Sequence, residues 1–130
     1  MTQIRIRDAA RFLGVSDDTV RRWVDAGTLT ATVDESGRKV VDGVELADLA
    51  RRNAELPDDP GAGHGSARNR FIGLVTAIKR DTVMAQVDLQ CGPFRVVSLM
   101  TSEAVDDLGL QPGSVAVAVV KATVVTVETP

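Results

Sequence analysis

Hydrogen-bond donors recur at three separated places in the second half of this 130-residue sequence. The three places are Ser66-Ala-Arg-Asn69, Thr101-Ser102 and Lys121-Ala-Thr123. They supply hydroxyls, a guanidinium, an ammonium and the amides of a helix start, and Glu103 is the one carboxylate beside them. A doubly charged tetrahedral oxyanion requires convergent donors with little competing negative charge. The same residue types also form ordinary turns and solvated strand ends, and spacing alone does not separate the two interpretations.

Two arginines in the first half have the spacing of an exposed helix face. Val20, Trp23 and Val24 recur at helical intervals and predict a buried stripe. Arg21 and Arg22 then face outward. Arginine can bond guanine O6 and N7 through two parallel donors, or hold a phosphate. The alternative is a solvated face on which both arginines pair with neighbouring aspartates.

Three further residues complete the candidate DNA-binding set. Thr19 belongs to the same helix as the two arginines, and we assign it to the same surface. Arg38 and Lys39 follow a predicted hairpin turn, from which they would grip the flanking DNA backbone as a wing.

The composition limits which classes of protein this chain can belong to. Its formal net charge of -3 argues against coating nucleic acid by bulk attraction but leaves binding through a local basic face open. Cys91 and His64 are the single cysteine and histidine, so we expect no disulfide within the chain and no site for a metal cation. No segment resembles a signal core or a membrane span, and we therefore expect a cytoplasmic protein.

The chain changes character at a segment rich in proline and glycine. Residues 56–65 contain two prolines, three glycines and two aspartates, which predicts a flexible linker. The predicted organisation is α+β, with a DNA-binding domain over residues 1–55, the linker over 56–65 and an oxyanion-binding domain over 66–130.

Helical patterns dominate the first domain. Gly14 and Ser16 are typical of a helix end and a helix N-cap, and they separate two short helices by a tight turn. A hairpin and a third helix follow, which predicts a winged helix-turn-helix. The predicted elements are helices over 7–13, 17–26 and 44–53 and a hairpin over 29–41.

Alternating apolar residues predict strands in the second domain. Five short strands with one helix between the third and fourth are typical of a small OB-like barrel. The predicted strands cover 71–78, 83–89, 94–100, 114–120 and 124–127, and the helix covers 102–108. A barrel this small exposes strand edges, so we expect a homodimer or higher oligomer.

The stretch from Asp8 to Leu29 resembles the heads of MerR-like and excisionase-like regulators. The resemblance covers about the first fifty residues and implies that the second helix and the wing contact DNA. The wing departs from the pattern, because Ser36-Gly-Arg-Lys-Val-Val-Asp-Gly43 contains no aromatic residue.

The second domain resembles the Mop/TOBE family. Ser66-Ala-Arg-Asn69, the Thr101 segment, Pro112-Gly113 and Lys121-Ala122 keep the order and spacing of the family's blocks. The resemblance implies molybdate or tungstate as ligand, bound at interfaces between copies. The oxyanion-binding positions that it implies are Ser66, Arg68, Thr101, Lys121 and the backbone of Ala122, with Asn69 in a structural or ligand role. Ala104 departs from the pattern, because some relatives carry a serine there.

Taken together, these features predict a molybdate- or tungstate-responsive regulator that binds double-stranded DNA. The alternative is a cytoplasmic molybdate-binding storage protein whose head is not a DNA switch. We expect no enzyme, since the sequence offers no nucleophile with a base and no glycine-rich nucleotide loop.

Overall fold

In the computed structural model, which describes residues 2–130, the chain divides into two units, Met1–Leu56 and Pro57–Pro130. The division lies at the start of the predicted linker. Each helix among the described residues is too short or too polar to traverse a bilayer.

The first unit contains three helices and a small sheet. Its elements in chain order are β1 (Gln3–Arg5), α1 (Ile6–Leu13), α2 (Asp17–Asp25), β2 (Ala31–Val33), β3 (Lys39–Asp42) and α3 (Gly43–Asn53). The order of strands in the sheet is β1-β3-β2, and both pairings are antiparallel. The predicted hairpin is therefore joined by a third strand, β1.

The turn between α1 and α2 is built as the sequence predicts. Gly14 ends α1 with φ of 67°, a left-handed conformation that glycine adopts without steric cost. The Ser16 hydroxyl begins α2 by accepting a hydrogen bond of 3.2 Å from the Thr19 amide. The two caps fix the helix-turn-helix.

Apolar residues from every helix form the core of the first unit. Ala9, Val20, Leu29 and Leu49 are fully buried there. Trp23 and Val24, the other two residues of the predicted stripe, lie at the margin of this core and are only partly buried. Arg21 and Arg22, which directly follow the buried Val20, are exposed.

The second unit is a curled antiparallel sheet with one helix. Its elements in chain order are β4 (Asn69–Arg80), β5 (Met84–Cys91), β6 (Phe94–Thr101), α4 (Ser102–Leu108) and β7 (Val115–Val120). The order of strands is β6-β5-β4-β7. A register shift between Val75 and Ala77 in β4 marks an irregularity of the kind that increases strand twist.

The prediction of a fifth strand over residues 124–127 is wrong. A short 3-10 helix, Ala122–Val124, follows β7, and Val125 after it is extended with φ of −84° and ψ of 123°. Within the described residues, no strand pairs with this segment. The valines favour extended backbone, but a strand also requires a neighbour that completes its ladder of hydrogen bonds. Residues 125–130 are called the terminal segment below.

One face of the curled sheet forms the core of the second unit. Val75, Val87, Leu89 and Val105 are buried in it. An apolar groove of about 480 Å³ is lined by β6 and β7, the two strands at the edges of the sheet. The groove lies where a five-stranded barrel would be closed.

Gly73 allows β4 and β5 to approach closely. A Cβ atom at this position would overlap the Gln90 carbonyl oxygen and lie 2.7 Å from Cys91 Sγ. No side chain fits there unless the backbone of β5 moves, so the glycine is required for the packing of these strands.

Candidate functional site

The pairing of β4 with β7 brings most of the predicted oxyanion residues to one end of the sheet. Asn69 at the start of β4 lies opposite Val120 at the end of β7, and its Nδ2 donates to the Val120 carbonyl oxygen at 3.1 Å. Because the strands are antiparallel, the residues before Asn69 and after Val120 leave the sheet at the same end. The residues collected at this end are Ser66, Arg68, Asn69, Lys121 and Ala122.

Arg68 and Lys121, two cations at this end, have no carboxylate partner within residues 2–130. Three other arginines of the second unit, Arg70, Arg80 and Arg95, each bind an aspartate, with shortest distances of 2.7, 2.9 and 2.6 Å. Arg68 instead donates to two carbonyl oxygens of its own loop, both at 3.3 Å. Lys121 is exposed and forms no ion pair in the described part of the chain. The positive charge of both residues is therefore available to an anion.

Thr101 lies at the opposite end of the sheet. It ends β6 opposite Met84, and the neighbouring Ala85 lies opposite Arg80 at the far end of β4. A strand that spans Asn69–Arg80 extends roughly 35 Å if straight, at about 3.3 Å per residue. One copy of the chain therefore places Thr101 away from Lys121.

The amides that begin α4 are less available than the sequence suggests. The Thr101 hydroxyl oxygen accepts from the Ala104 amide at 3.1 Å, and the Ser102 amide donates to the Val83 carbonyl oxygen at 2.8 Å. The Ala104 amide is therefore engaged by the helix cap and is not a free donor in place of the missing serine hydroxyl. Thr101 keeps its own hydroxyl hydrogen as a donor.

Ser102 has a structural role. Its side chain is buried, and its hydroxyl lies 2.7 Å from the carbonyl oxygen of Asp81 and 3.1 Å from that of Met84. It therefore anchors the start of α4 to the turn that joins β4 and β5.

Both candidate arginines of α2 are exposed, and each has one neighbour on the helix. Arg21 Nη1 lies 3.2 Å from Asp18 Oδ1, and Arg22 Nη2 donates to Thr19 Oγ1 at 3.1 Å. The Thr19 hydroxyl is itself 3.0 Å from Ser16 Oγ. The other N–H groups of both guanidiniums remain unused by the described residues, so each arginine can still present donors to a partner.

The predicted wing residues lie at an ordered hairpin. Arg38 and Lys39 are exposed, and Asp34 closes the turn by accepting from the amides of Ser36 and Arg38 at 2.8 and 3.0 Å. The pKa of the Asp34 carboxyl is lowered, mainly by the hydrogen bond that it accepts from the Arg38 amide. This carboxylate is therefore used by the turn that presents the two cations.

Sequence reasoning missed Arg70 and its partner. Arg70 binds the Asp59 carboxylate, which lies inside the segment predicted as flexible linker. The sequence signal was Asp59-Pro60-Gly61, a turn-forming run, but nothing local points to an arginine eleven positions later.

Together, the two units define a class of protein with a helix-turn-helix followed by a small antiparallel sheet that carries two cations without carboxylate partners at one end. Residues 65–127 match the TOBE domain family, and residues 4–54 match a helix-turn-helix domain family.

The chain is similar in sequence to several proteins named for molybdenum or molybdate. Molybdenum-pterin-binding protein 3 of Clostridium pasteurianum is 39% identical over 59 residues, which are 45% of this chain and 87% of that protein. Molybdenum transport protein ModE of Herbaspirillum seropedicae is 38% identical over 65 residues, 49% of this chain but 24% of its own length. The structure of a molybdate binding protein from Sporomusa ovata is 35% identical with a TM-score of 0.49, over 50% of this chain and 97% of that one.

The chain therefore belongs to the TOBE domain family through its second unit, and a helix-turn-helix domain precedes that unit. Both resemblances found in the sequence are confirmed at this level. The finer relation of the first unit to MerR-like regulators stays a prediction.

Proposed function

We propose that this protein is a DNA-binding regulator that responds to molybdate or tungstate. The second unit binds the oxyanion between copies of the chain, and the helix-turn-helix binds double-stranded DNA. The similarity to proteins named for molybdenum supports molybdate as the ligand. The helix-turn-helix that precedes the TOBE domain supports the regulatory role.

The separation of Thr101 from Lys121 is the observation that carries the proposal. Ser66, Arg68 and Lys121 lie at one end of the sheet and Thr101 at the other. A doubly charged anion requires donors on several sides, because a buried charge without compensating contacts is costly. A second copy that brings its Thr101 end to the Lys121 end completes the set, and the ligand then bridges the two copies.

The edges of the sheet support this assembly. β6 and β7 each have one side without a paired strand among residues 2–130, and the apolar groove lies between them. The terminal segment begins with extended backbone at Val125 and alternates valine with polar residues over 125–128, as a strand that adds to such an edge would. We propose that the terminal segment of one copy occupies the groove of another.

Titration calorimetry with Lys121→Ala tests the ligand site. We expect the wild type to bind molybdate and the variant to bind it more than about a hundredfold more weakly, since one charged partner is lost. Arg11→Ala is the control, because Arg11 is also an exposed cation without an ion pair among the described residues but lies on α1 in the first unit. Sulfate and phosphate test the selectivity.

Two outcomes would contradict the proposal. Equal molybdate binding by the wild type and Lys121→Ala would remove this lysine from the site. No binding by the wild type at millimolar molybdate would mean that the second unit serves another purpose, such as assembly alone.

Footprinting on operator DNA tests the first unit. We expect the Arg21→Ala, Arg22→Ala double variant to lose specific binding, because each base-reading arginine contributes about 1–3 kcal/mol. Arg51→Ala with Arg52→Ala is a matched control, since these two arginines lie on α3 and both bind Asp48.

The storage alternative predicts a different result. The similarity to molybdenum-pterin-binding protein 3 spans 45% of this chain and 87% of that relative, which favours a binding function that needs no helix-turn-helix. A storage protein would bind molybdate normally and give no specific, salt-dependent footprint on any DNA.

A further inference from the structure

A mostly buried ion pair ties the start of the second unit to its first strand. Arg70 Nε lies 2.7 Å from Asp59 Oδ2, and Arg70 Nη2 lies 3.0 Å from Asp59 Oδ1. The two side chains are 24% and 14% exposed, respectively. Two parallel bonds between a guanidinium and a carboxylate fix direction as well as distance, unlike a single contact between flexible side chains.

The backbone around Asp59 is shaped for this pair. Asp59 Oδ1 also accepts from the Gly61 amide at 3.0 Å, and the Ala62 amide donates to the Asp59 carbonyl oxygen at 3.0 Å. A Cβ atom on Gly61 would lie 2.5 Å from Arg70 Nη2, so the guanidinium occupies the space that this glycine leaves open. The turn and the ion pair therefore support each other.

The pair remains ionised at neutral pH. The pKa of the Asp59 carboxyl is lowered, mainly by its hydrogen bond with Arg70 and further by the Gly61 amide. The same contact raises the pKa of the Arg70 guanidinium.

Two of the proposed oxyanion donors lie inside the loop that this pair closes. The loop runs from Asp59 to Arg70, and it carries Ser66 and Arg68. Its interior is held by weaker contacts, such as that from the His64 amide to the Gly61 carbonyl oxygen at 3.2 Å. Without the ion pair, Ser66 and Arg68 would lie on a segment that is fixed to the sheet only where it enters β4.

We infer that Asp59 and Arg70 are positioning residues for the oxyanion site, which hold Ser66 and Arg68 at the end of the sheet where Lys121 lies. This inference rests on the proposed molybdate-binding function. It also assigns different roles to two neighbouring arginines. The carboxylate occupies two donors of Arg70, so Arg68 is the guanidinium that remains for the anion.

The entropy of loop closure bounds the expected effect. The probability that a flexible loop closes falls roughly as its length to the power 3/2, which for twelve residues is a factor of about 40. The remaining contacts of the loop retain part of its order. Loss of the ion pair should therefore weaken molybdate binding by several-fold, up to about 40-fold.

The test compares the full-length wild type, Asp59→Asn and Asp58→Asn. Asp58 is the matched control, since it is the adjacent aspartate, is exposed, and has no hydrogen-bond partner among residues 2–130. Hydrogen–deuterium exchange of amides 61–69 without ligand reports loop order, and calorimetry with sodium molybdate reports affinity. We expect Asp59→Asn to exchange faster in this segment and to bind molybdate more weakly at unchanged stoichiometry, with Asp58→Asn like the wild type.

Each contrary result has a distinct meaning. Unchanged exchange in Asp59→Asn would overturn the closure of the loop by this pair. Faster exchange with unchanged molybdate affinity would overturn its positioning role. A wild type that binds no molybdate would refute the proposed function, and the exchange experiment would still decide whether the pair closes the loop. Adding Arg70→Ala to Asp59→Asn should cause little further loss of affinity if the two residues act as one unit.

Discussion

Charged substitutions in the terminal segment should dissociate the assembly proposed above. Val125 and Val127 are 47% and 91% exposed in the single chain, and in an extended segment they point to the same side. If a second copy buries them, placing aspartate at both positions removes the apolar contact and buries charge instead. Val125→Asp with Val127→Asp is therefore expected to yield a monomer.

The exposed fractions of Val125 and Val127 give the free energy of association that the substitutions should remove. Complete burial of a valine is worth about 1.5–3 kcal/mol, so the two exposed fractions together correspond to roughly 2–4 kcal/mol per segment. A two-fold assembly repeats each contact, which doubles this to about 4–8 kcal/mol. The dissociation constant should then rise by about three to six orders of magnitude, since each 1.4 kcal/mol is a factor of ten.

Sedimentation velocity at micromolar concentration measures this directly. Thr126→Asp is the control for added charge, because it places one negative charge on the opposite side of the segment and should retain the wild-type mass. A double variant with the wild-type mass would refute the role of the terminal segment in assembly. If Thr126→Asp dissociated equally, added charge rather than the loss of a valine face would be the cause.

Three further substitutions test the fold. Gly73→Ala should unfold the second unit at a markedly lower temperature, because the added methyl group overlaps the backbone of the adjacent strand, whereas Gly65→Ala has open space and should melt like the wild type. Leu49→Ala in the core of the first unit should cost about 2–5 kcal/mol in chemical denaturation, and Val44→Ala on the exposed side of the same helix less than about 0.5 kcal/mol. The backbone amides of Met84 and Val83 lower the pKa of the Asp81 carboxyl below its ordinary value of 3.8. The ionised carboxylate therefore stabilises the fold above pH 3.8, and this stabilisation is lost as the pH falls toward the lowered pKa. Asp81→Asn, which keeps an acceptor oxygen, should therefore show a weaker acid-induced fall in melting temperature than the wild type.

Features of the fold that depend on neighbouring residues could be predicted from the sequence. Gly14 and Ser16 fix the turn between two helices because each acts within one or two residues of its own position. The alternation of apolar residues predicted the strand that became β5, where Ala85, Val87 and Leu89 are buried, since side chains along a strand point to opposite faces. The order of the blocks predicted to bind an oxyanion could also be read along the chain, because their residue types and spacing are properties of the sequence.

Only the tertiary structure decided which of these blocks come together. The register of β4 against β7 places Arg68 and Lys121 at the same end of the sheet, and β6 carries Thr101 to the other. The ion pair between Asp59 and Arg70 likewise joins a segment predicted to be flexible to a strand. The segment predicted as a fifth strand has no paired strand in the described part of the chain, for the same physical reason. A residue's preference for extended backbone is local, whereas a strand, a salt bridge or a ligand site forms only when distant segments meet in one register.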